Sequence, residues 1–200
     1  LRPFEPDGFG LGDALFVLYP LTGNTAYNPT FTPFSKTNRN SYAAGLGFSQ
    51  ILSKRLQGSL ALDWVMQDGL LSTPFQRVYF EDVPDSFLGG FHLAEGVEQL
   101  PETRQKLAIG GRLNYYLNDY VVVRTYFRYY TDSWGLRSST ASLEVPVKLS
   151  QAFTVYPSYR FYTQSAADAF RGYNRHLSTS EFYTSDYDLS AYDANQWGLG

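Results

Sequence analysis

The sequence predicts an all-β protein, namely an antiparallel transmembrane β-barrel of which this chain supplies about seven or eight strands. Apolar and polar residues alternate along many segments, as expected when successive side chains point to opposite faces of a strand. The connections between these segments alternate between short and long. No run of about 18 or more apolar residues exists, so no membrane-spanning helix is predicted. These observations favour a barrel wall, whose strands alternate instead.

The clearest alternation lies between residues 103 and 130. Most odd-numbered positions there are apolar or aromatic, and the cations are at even-numbered positions. Two strands are expected, joined by a tight turn at Leu117-Asn118-Asp119, where the Asn and Asp side chains favour a turn. One face of this hairpin is therefore apolar. Lipid-facing positions are predicted in it and in one later strand: Leu107, Ile109, Leu113, Val121, Val123, Phe127, Tyr129 and Phe161.

The same alternation recurs elsewhere, and residues 1–200 are interpreted as one barrel domain that is incomplete at one or both ends. Further strands are predicted at 12–19, 41–52, 55–67, 75–80, 140–149 and 153–164, with a last one starting at 191. Outer-membrane barrels join their strands by short periplasmic turns and longer outer loops. Long outer loops are predicted at 20–40, 69–102 and 165–190, short turns near 53–54, 117–119 and 150–152, and a medium connection at 131–138.

Composition excludes several classes of function. The net charge is −3, so no basic field attracts nucleic acid. The chain has no cysteine, which excludes disulfides, thiolate metal sites and a thiol nucleophile. Aromatic residues are abundant, with 17 Tyr, 15 Phe and 3 Trp. Tyr and Trp favour lipid–water interfaces, because one end of each side chain is apolar and the other is polar.

A set of charged residues occupies the face opposite to the apolar one and is predicted to line the barrel lumen. The most direct register places Glu144 beside Arg128, with Arg160 beside or diagonal to Glu144, and such pairs contribute about 0.2–1 kcal/mol each. An excess of cations would favour anions in a pore. Alternatively, Arg–Glu ladders fill and rigidify a closed lumen. The predicted lumen residues are Asp63, Lys106, Arg112, Arg124, Arg128, Glu144, Lys148 and Arg160.

Two acidic groups lie in the long loops, where carboxylate oxygens could suit Ca²⁺. The twelve-residue calcium-loop pattern is absent, so we interpret these carboxylates as solvated and predict no metal site and no cofactor. The first group comprises Glu81, Asp82, Asp85, Glu95, Glu98 and Glu102, and the second comprises Asp186, Asp188 and Asp193.

Both histidines, His92 and His176, fall in predicted outer loops. Three serines near His176, at positions 178, 180 and 185, raise the alternative of a Ser–His hydrolase. No nucleophile-elbow pattern accompanies them, so no catalytic residue and no enzyme activity are predicted. Pro146 and Pro157 fall within strands, where each lacks a ladder N–H, and a β-bulge is expected there.

Five runs of this sequence are specific as a set: SYAAGLGFSQILSKRLQGSLALD, LLSTPFQRVYF, LAIGGRLNYYLNDYVVVRTYFRYYTDSWG, YPSYRFYTQSAADAF and YTSDYDLSAY. Together they resemble a family of Gram-negative outer-membrane β-barrel proteins catalogued only as a domain of unknown function. The similarity covers most of residues 39–197. It implies a barrel fold and an outer-membrane location, and it implies no catalytic residues. Members of the family look longer than this chain, so the resemblance implies part of a larger barrel.

The function expected from these patterns is a porin-like channel for small polar or anionic solutes. The runner-up is a non-conducting barrel that serves as a structural or accessory subunit of an envelope complex, with partner proteins bound through its long loops. Outer-membrane lipid and lipopolysaccharide are the expected surroundings, and no nucleic acid is expected. A soluble antiparallel sandwich or small barrel is the alternative fold, in which the charged face would meet water.

Overall fold

The computed structural model describes residues 38–73, 75–88 and 90–200. Regular structure within these ranges is almost entirely β, with one short 3₁₀ helix at Tyr187–Leu189. No helix in them is both long and apolar enough to cross a membrane. The strands are β1 (Arg39–Ser53), β2 (Leu56–Gly69), β3 (Arg77–Val78), β4 (Ser86–Leu88), β5 (Phe91–Leu93), β6 (Gly96–Val97), β7 (Thr103–Tyr116), β8 (Val122–Asp132), β9 (Arg137–Glu144), β10 (Val147–Lys148), β11 (Thr154–Val155), β12 (Pro157–Gln164) and β13 (Tyr192–Leu199).

Seven of these strands form one antiparallel sheet in the order β1-β2-β7-β8-β9-β12-β13. Each long strand pairs with the next long strand along the chain, so the sheet is an antiparallel meander. The predicted all-β antiparallel class is therefore confirmed. The sequence predicted a longer strand at 75–80, but the strand there is only Arg77–Val78, paired with β6, and Phe80 forms an isolated bridge with His176. The predicted strand at 12–19 lies outside the described residues, as does nearly all of the predicted loop 20–40.

The pairing register carries the apolar side chains of the sheet to one face. Leu62 of β2 pairs with Ile109 of β7, and Ile109 pairs with Tyr129 of β8. Side chains of paired residues point to the same side of a sheet, so the parity seen in each strand extends across the sheet. The exposed large side chains on this apolar face are Tyr42, Leu46, Phe48, Leu60, Leu62, Trp64, Leu107, Ile109, Leu113, Tyr115, Phe127, Tyr129, Leu143, Trp197 and Leu199.

Burial in the sheet is the reverse of that in a soluble protein. On the apolar face, Leu46 is 74% exposed, Leu60 is 62% exposed and Phe127 is 53% exposed. The sheet residues that are buried, among them Ala108 and Thr140, lie on the opposite, polar face. Full burial of a large apolar side chain contributes about 1.5–3 kcal/mol. In water the sheet would forgo that contribution at most positions of its apolar face.

The packed apolar core lies in the connections at one end of the sheet, which we call the loop cap (the described residues of 69–102, with 133–136 and 165–191). Leu100, Trp134 and Leu189, one from each connection, belong to one cluster of buried residues. Val78, Phe80 and Tyr183 form a second cluster. Gln99 and Tyr183 exchange backbone hydrogen bonds of 2.8 and 3.0 Å, which join the first and last connections. The long connections are therefore folded together over that end of the sheet.

The connection between β7 and β8 is a tight turn, as the sequence predicted. The Asn118 side-chain oxygen accepts hydrogen bonds from the backbone N–H groups of Tyr120 and Val121, both at 2.9 Å. Asn favours turns because its side chain can bond the backbone a few residues ahead in this way. The predicted turn at Ser53-Lys54 also joins β1 to β2 at this end.

The two prolines are accommodated without the predicted bulge. Glu144 pairs with Ser158 before Pro146, and Val147 pairs with Val155 after it, which is the same register. The strand ladder loses hydrogen bonds at these positions because proline has no N–H. Both proline carbonyls still accept hydrogen bonds. The Val145 N–H donates to the Pro157 carbonyl at 3.0 Å, and the Val122 N–H donates to the Pro146 carbonyl at 3.1 Å. The expectation of a bulge was wrong, since an unpaired position does not require an extra residue.

Gly135 gives a test of the cap. Its φ is +81°, and a Cβ added there would lie 2.3 Å from an Asp168 side-chain oxygen. Gly135→Ala should lower the free energy of unfolding by about 1–2 kcal/mol, because left-handed backbone disfavours a side chain. Gly172→Ala, in the same cap with open space around its Cβ, should change it by less than about 0.5 kcal/mol. Urea unfolding of both variants measures this difference, and equal effects would contradict it.

Candidate functional site: the polar face and its loop cap

The charged residues predicted for the lumen share the polar face of the sheet. Most of them lie in the central strands β7, β8 and β9. Lys148 is outside the seven-stranded sheet, in β10, but the unchanged register through Pro146 keeps it on the side of Glu144. The strand residues are Asp63, Lys106, Arg112, Arg124, Arg128, Glu144 and Arg160.

Glu144 pairs with a different arginine from the one predicted. It lies directly opposite Arg124, and the Arg124 Nη1 to Glu144 Oε1 distance is 2.7 Å. The expected Arg128–Glu144 pair is therefore wrong. The strands pair symmetrically about the 133–136 turn, with Thr131 opposite Arg137, and this register places Arg128 opposite Thr140, four residues from Glu144. Arg160 lies opposite Ser142, which makes it diagonal to Glu144.

Arg128 instead contacts a carboxylate two strands away. Its Nη2 donates to Asp63 Oδ2 at 3.1 Å, so the pair joins β8 to β2 across β7. The β7 residues between them are Gly110, opposite Arg128, and Ala108, opposite Asp63. Small residues at these two positions leave the space above β7 that the long arginine side chain needs.

The remaining polar face carries more cations than carboxylates among the described strands. Arg112 lies between Ser59 and Tyr126, and its guanidinium is 5.5 Å from the centre of the Tyr126 ring. An arginine over an aromatic face gains a cation–π attraction without losing its charge. The surface therefore presents positive charge to whatever occupies this side of the sheet.

A pocket of about 340 Å³ lies where the polar face meets the loop cap. Arg104 and Arg128 are its cationic residues, and Tyr162 and Gln164 add polar groups. Arg104 donates to Asp132 Oδ2 at 2.5 Å and packs on the Trp134 ring at 4.1 Å. The sequence-based lumen set omitted Arg104, although its even number in β7 already placed it on the polar face. The arrangement could hold a small polar or anionic solute at the end of the sheet.

The residues predicted to face lipid lie on the apolar face, and all but Val121 lie within strands of the sheet. Val121 precedes β8 and forms an isolated bridge with Val147 at the end opposite to the cap. The seven that lie in the strands are Leu107, Ile109, Leu113, Val123, Phe127, Tyr129 and Phe161.

The sequence matches a family model described as protein of unknown function (DUF3570) over residues 15–200. The chain belongs to this family. Searches of curated proteins and of solved structures returned no match. The predicted membership of a family of unknown function is thus confirmed, and the family description names neither an activity nor a cellular location.

The His176 region of this DUF3570 chain does not assemble a Ser–His pair within the described residues. His176 is buried in the cap, and its Nε2 lies 3.0 Å from the carbonyl oxygen of Thr184. The backbone N–H and hydroxyl of Ser178 instead donate to Asp82, at 2.8 and 2.7 Å. These two hydrogen bonds lower the pKa of Asp82. His176 therefore has a packing role between the first and last connections.

Several acidic side chains of the DUF3570 cap make hydrogen bonds within the protein, whereas the sequence suggested that they are solvated. Glu98 is buried, accepting from the Thr184 hydroxyl and from the backbone N–H of Thr73, and burial raises its pKa. Asp186 accepts from the backbone N–H of Asp188 at the start of the 3₁₀ helix. Asp85 and Glu95 lie beside His92, a grouping that a separate treatment of acidic residues and histidines could not find.

His176 gives the cap a predicted pH dependence. Burial lowers its pKa below the ordinary value of 6.5, so the folded cap binds this proton less readily than the unfolded chain does. Its contribution to stability is complete above about pH 6.5 and is lost as the pH falls through that value towards the folded-state pKa. Hydrogen exchange of the Tyr183 amide, corrected for intrinsic rates, should show weaker protection at pH 5 than at pH 7.5.

The control for that measurement is His176→Gln, which retains an N–H donor for the Thr184 carbonyl but does not titrate. In this variant, the protection of the Tyr183 amide should differ less between pH 5 and pH 7.5 than it does in the wild type. Glu98 changes the stability of the cap in the opposite direction. Burial raises its pKa, so protonation at lower pH removes a buried charge and stabilises the folded cap. A wild-type profile that His176→Gln leaves unchanged would contradict the assignment to His176.

Proposed function

We propose that this sheet forms part of the wall of a transmembrane β-barrel in the outer membrane of a Gram-negative bacterium, and that the barrel is a porin-like channel for small polar or anionic solutes. The observation that carries the proposal is the exposed apolar face. Soluble proteins rarely expose contiguous apolar patches larger than a few hundred Å². Hydrocarbon would meet that face without cost, and lipopolysaccharide and lipid would then be its surroundings.

Strand length and connection length support the same proposal. β1, β2 and β7 contain 15, 14 and 14 residues, whereas a tilted crossing of the hydrocarbon layer takes about 9–11. The β1–β2 and β7–β8 turns are short at one end, and the folded loop cap is at the other. Outer-membrane barrels have this asymmetry, with the longer connections outside.

The choice of solute rests on the polar face. Arg112, Arg128 and Arg160 extend from three strands, β7, β8 and β12, on the side that would face the lumen. Rings or rows of cations favour anions in pores. The pocket that contains Arg104 and Arg128 would be the first cationic site below the cap.

The second candidate is a non-conducting barrel that acts as a structural or accessory subunit of an envelope complex. Two observations favour it. The Arg124–Glu144 and Arg128–Asp63 pairs partly neutralise the polar face. The cap also folds over one end of the sheet with its own buried clusters, and its outer surface could bind envelope proteins.

Adjacent residues of β9 test the membrane orientation. The chain has no cysteine, so Ser142→Cys on the polar face and Leu143→Cys on the apolar face each give a single labelling site. With a fluorophore attached in lipid vesicles, the label at 143 should be quenched by brominated lipid and the label at 142 by aqueous iodide. Equal quenching by iodide at both sites would refute the barrel-wall proposal.

Planar-bilayer conductance of the full-length protein tests the channel. Arg128→Glu should reduce the anion-to-cation permeability ratio, because it replaces a lumen cation by an anion beside Asp63. Arg137→Glu makes the same charge change at an odd-numbered position of β9, on the other face, and should leave that ratio unchanged.

Absence of conductance from the full-length protein would reject the channel and favour the accessory subunit. That alternative has its own readout. Envelope proteins that co-purify with the wild type should be lost when the 69–102 or 165–190 connection is shortened.

A further inference from the structure

Three side chains of different parts of the first long connection meet at the β4–β5 hairpin. Asp85 immediately precedes β4, His92 is the central residue of β5, and Glu95 follows β5. The hairpin pairs Phe87 with His92 and Ser86 with Leu93, which returns the chain to the side of Asp85. A short hairpin thus converts a spacing of ten residues along the chain into a cluster.

The spacing of the donor atoms matches a metal-ion site. His92 Nε2 lies 3.3 Å from Glu95 Oε1 and 3.5 Å from Asp85 Oδ1, and one donor atom from each residue falls within 4.8 Å of the others. Ligands around a tetrahedral Zn²⁺ with bonds of about 2.0–2.1 Å are separated by roughly 3.3 Å. The two carboxylates are close enough to repel each other, which a shared cation would reverse.

Two of the three donor atoms are buried and lack a hydrogen-bond partner. The Glu95 side chain is only 8% exposed, and its Oε1 has no hydrogen-bond partner. The same holds for His92 Nε2, although the imidazole lies beside two carboxylates. A buried polar atom without a partner costs about 1–3 kcal/mol, so such atoms call for a ligand.

The far side of each of these two side chains is held in place. Tyr173 Oη lies 2.6 Å from His92 Nδ1, and the Phe80 N–H donates to Glu95 Oε2 at 3.2 Å. With Nδ1 donating to the tyrosine oxygen, Nε2 keeps its lone pair for an ion. Outer partners of this kind orient metal-ligating histidines and carboxylates in metal sites.

We propose that Asp85, His92 and Glu95 bind a first-row divalent transition ion, with Zn²⁺ as the reference ion, at the junction of two connections of the loop cap. The imidazole nitrogen selects such ions over Ca²⁺ and Mg²⁺, which prefer oxygen ligands alone. Three protein ligands leave one position for water, which can enter past the half-exposed Asp85. Because Tyr173 belongs to the last connection, the ion would also fasten the β4–β5 hairpin to that segment. The proposal is independent of whether the barrel conducts.

Isothermal titration with Zn²⁺ tests the site in the full-length protein, purified in detergent and stripped with a chelator. The wild type should bind one equivalent, and His92→Gln and Glu95→Gln should each weaken the affinity at least tenfold. His176→Gln changes the other histidine, outside the cluster, and should retain wild-type affinity. Tyr173→Phe removes only the outer partner and should weaken binding about tenfold. Excess Ca²⁺ should not compete.

Circular dichroism must show the wild-type β-spectrum for each variant, and Asp85→Asn, at a half-exposed position, replaces any variant that does not fold. Wild-type affinity in folded His92→Gln and Glu95→Gln would overturn the proposal. So would the absence of saturable binding by the wild type. Competition by Ca²⁺ would overturn the assignment to a transition ion.

Discussion

A constant antiparallel register, with one irregularity between Ile51 and Ser53 beside the β1–β2 turn, is the constraint on which the other features of the sheet depend. Because each strand alternates with a period of two, a shift of one residue between any pair would bring charges onto the apolar face. The described pairings from β1 to β13 keep Leu62, Ile109 and Tyr129 together on one side and Asp63, Ala108 and Tyr130 on the other. Even Pro146 and Pro157 leave the register unchanged. The resulting sheet has two chemically different surfaces and exposes the apolar one.

The cap and the sheet obey opposite burial rules. In the cap, Trp134, Leu136 and Leu189 are buried as in a water-soluble domain, and polar groups such as Glu98 find partners. In the sheet, the large apolar side chains point away from the protein. One chain therefore contains a part that suits water and a part that suits hydrocarbon. The boundary between them runs near Asp132, whose carboxylate accepts from Arg104, Tyr130 and the backbone of the 133–136 turn.

Parity in the sequence was sufficient to predict the seven strands of the main sheet, its two faces and the Asn118 turn, because these follow from local alternation and local hydrogen bonding. It could not predict contacts between segments that are distant in sequence. The Arg128–Asp63 pair crosses an intervening strand, and only the three-dimensional register shows that Gly110 and Ala108 lie beneath it. The grouping of Asp85, His92 and Glu95 depends on a hairpin of two three-residue strands, β4 and β5, within a connection that had no clear alternation. The cap clusters combine Leu100, Trp134 and Leu189, which lie in three separate connections.

The Arg128–Asp63 contact has a consequence for the shape of the sheet. It joins two strands that flank a third, and it does so above the polar face only. An attraction between the outer members of a three-strand set shortens the distance between them on that side, which favours a sheet that is concave towards its charges. Gly110 and Ala108 permit this inward bend, since larger side chains there would hold β2 and β8 apart. The same residues that satisfy the charges thereby contribute to the curvature that any enclosed lumen requires.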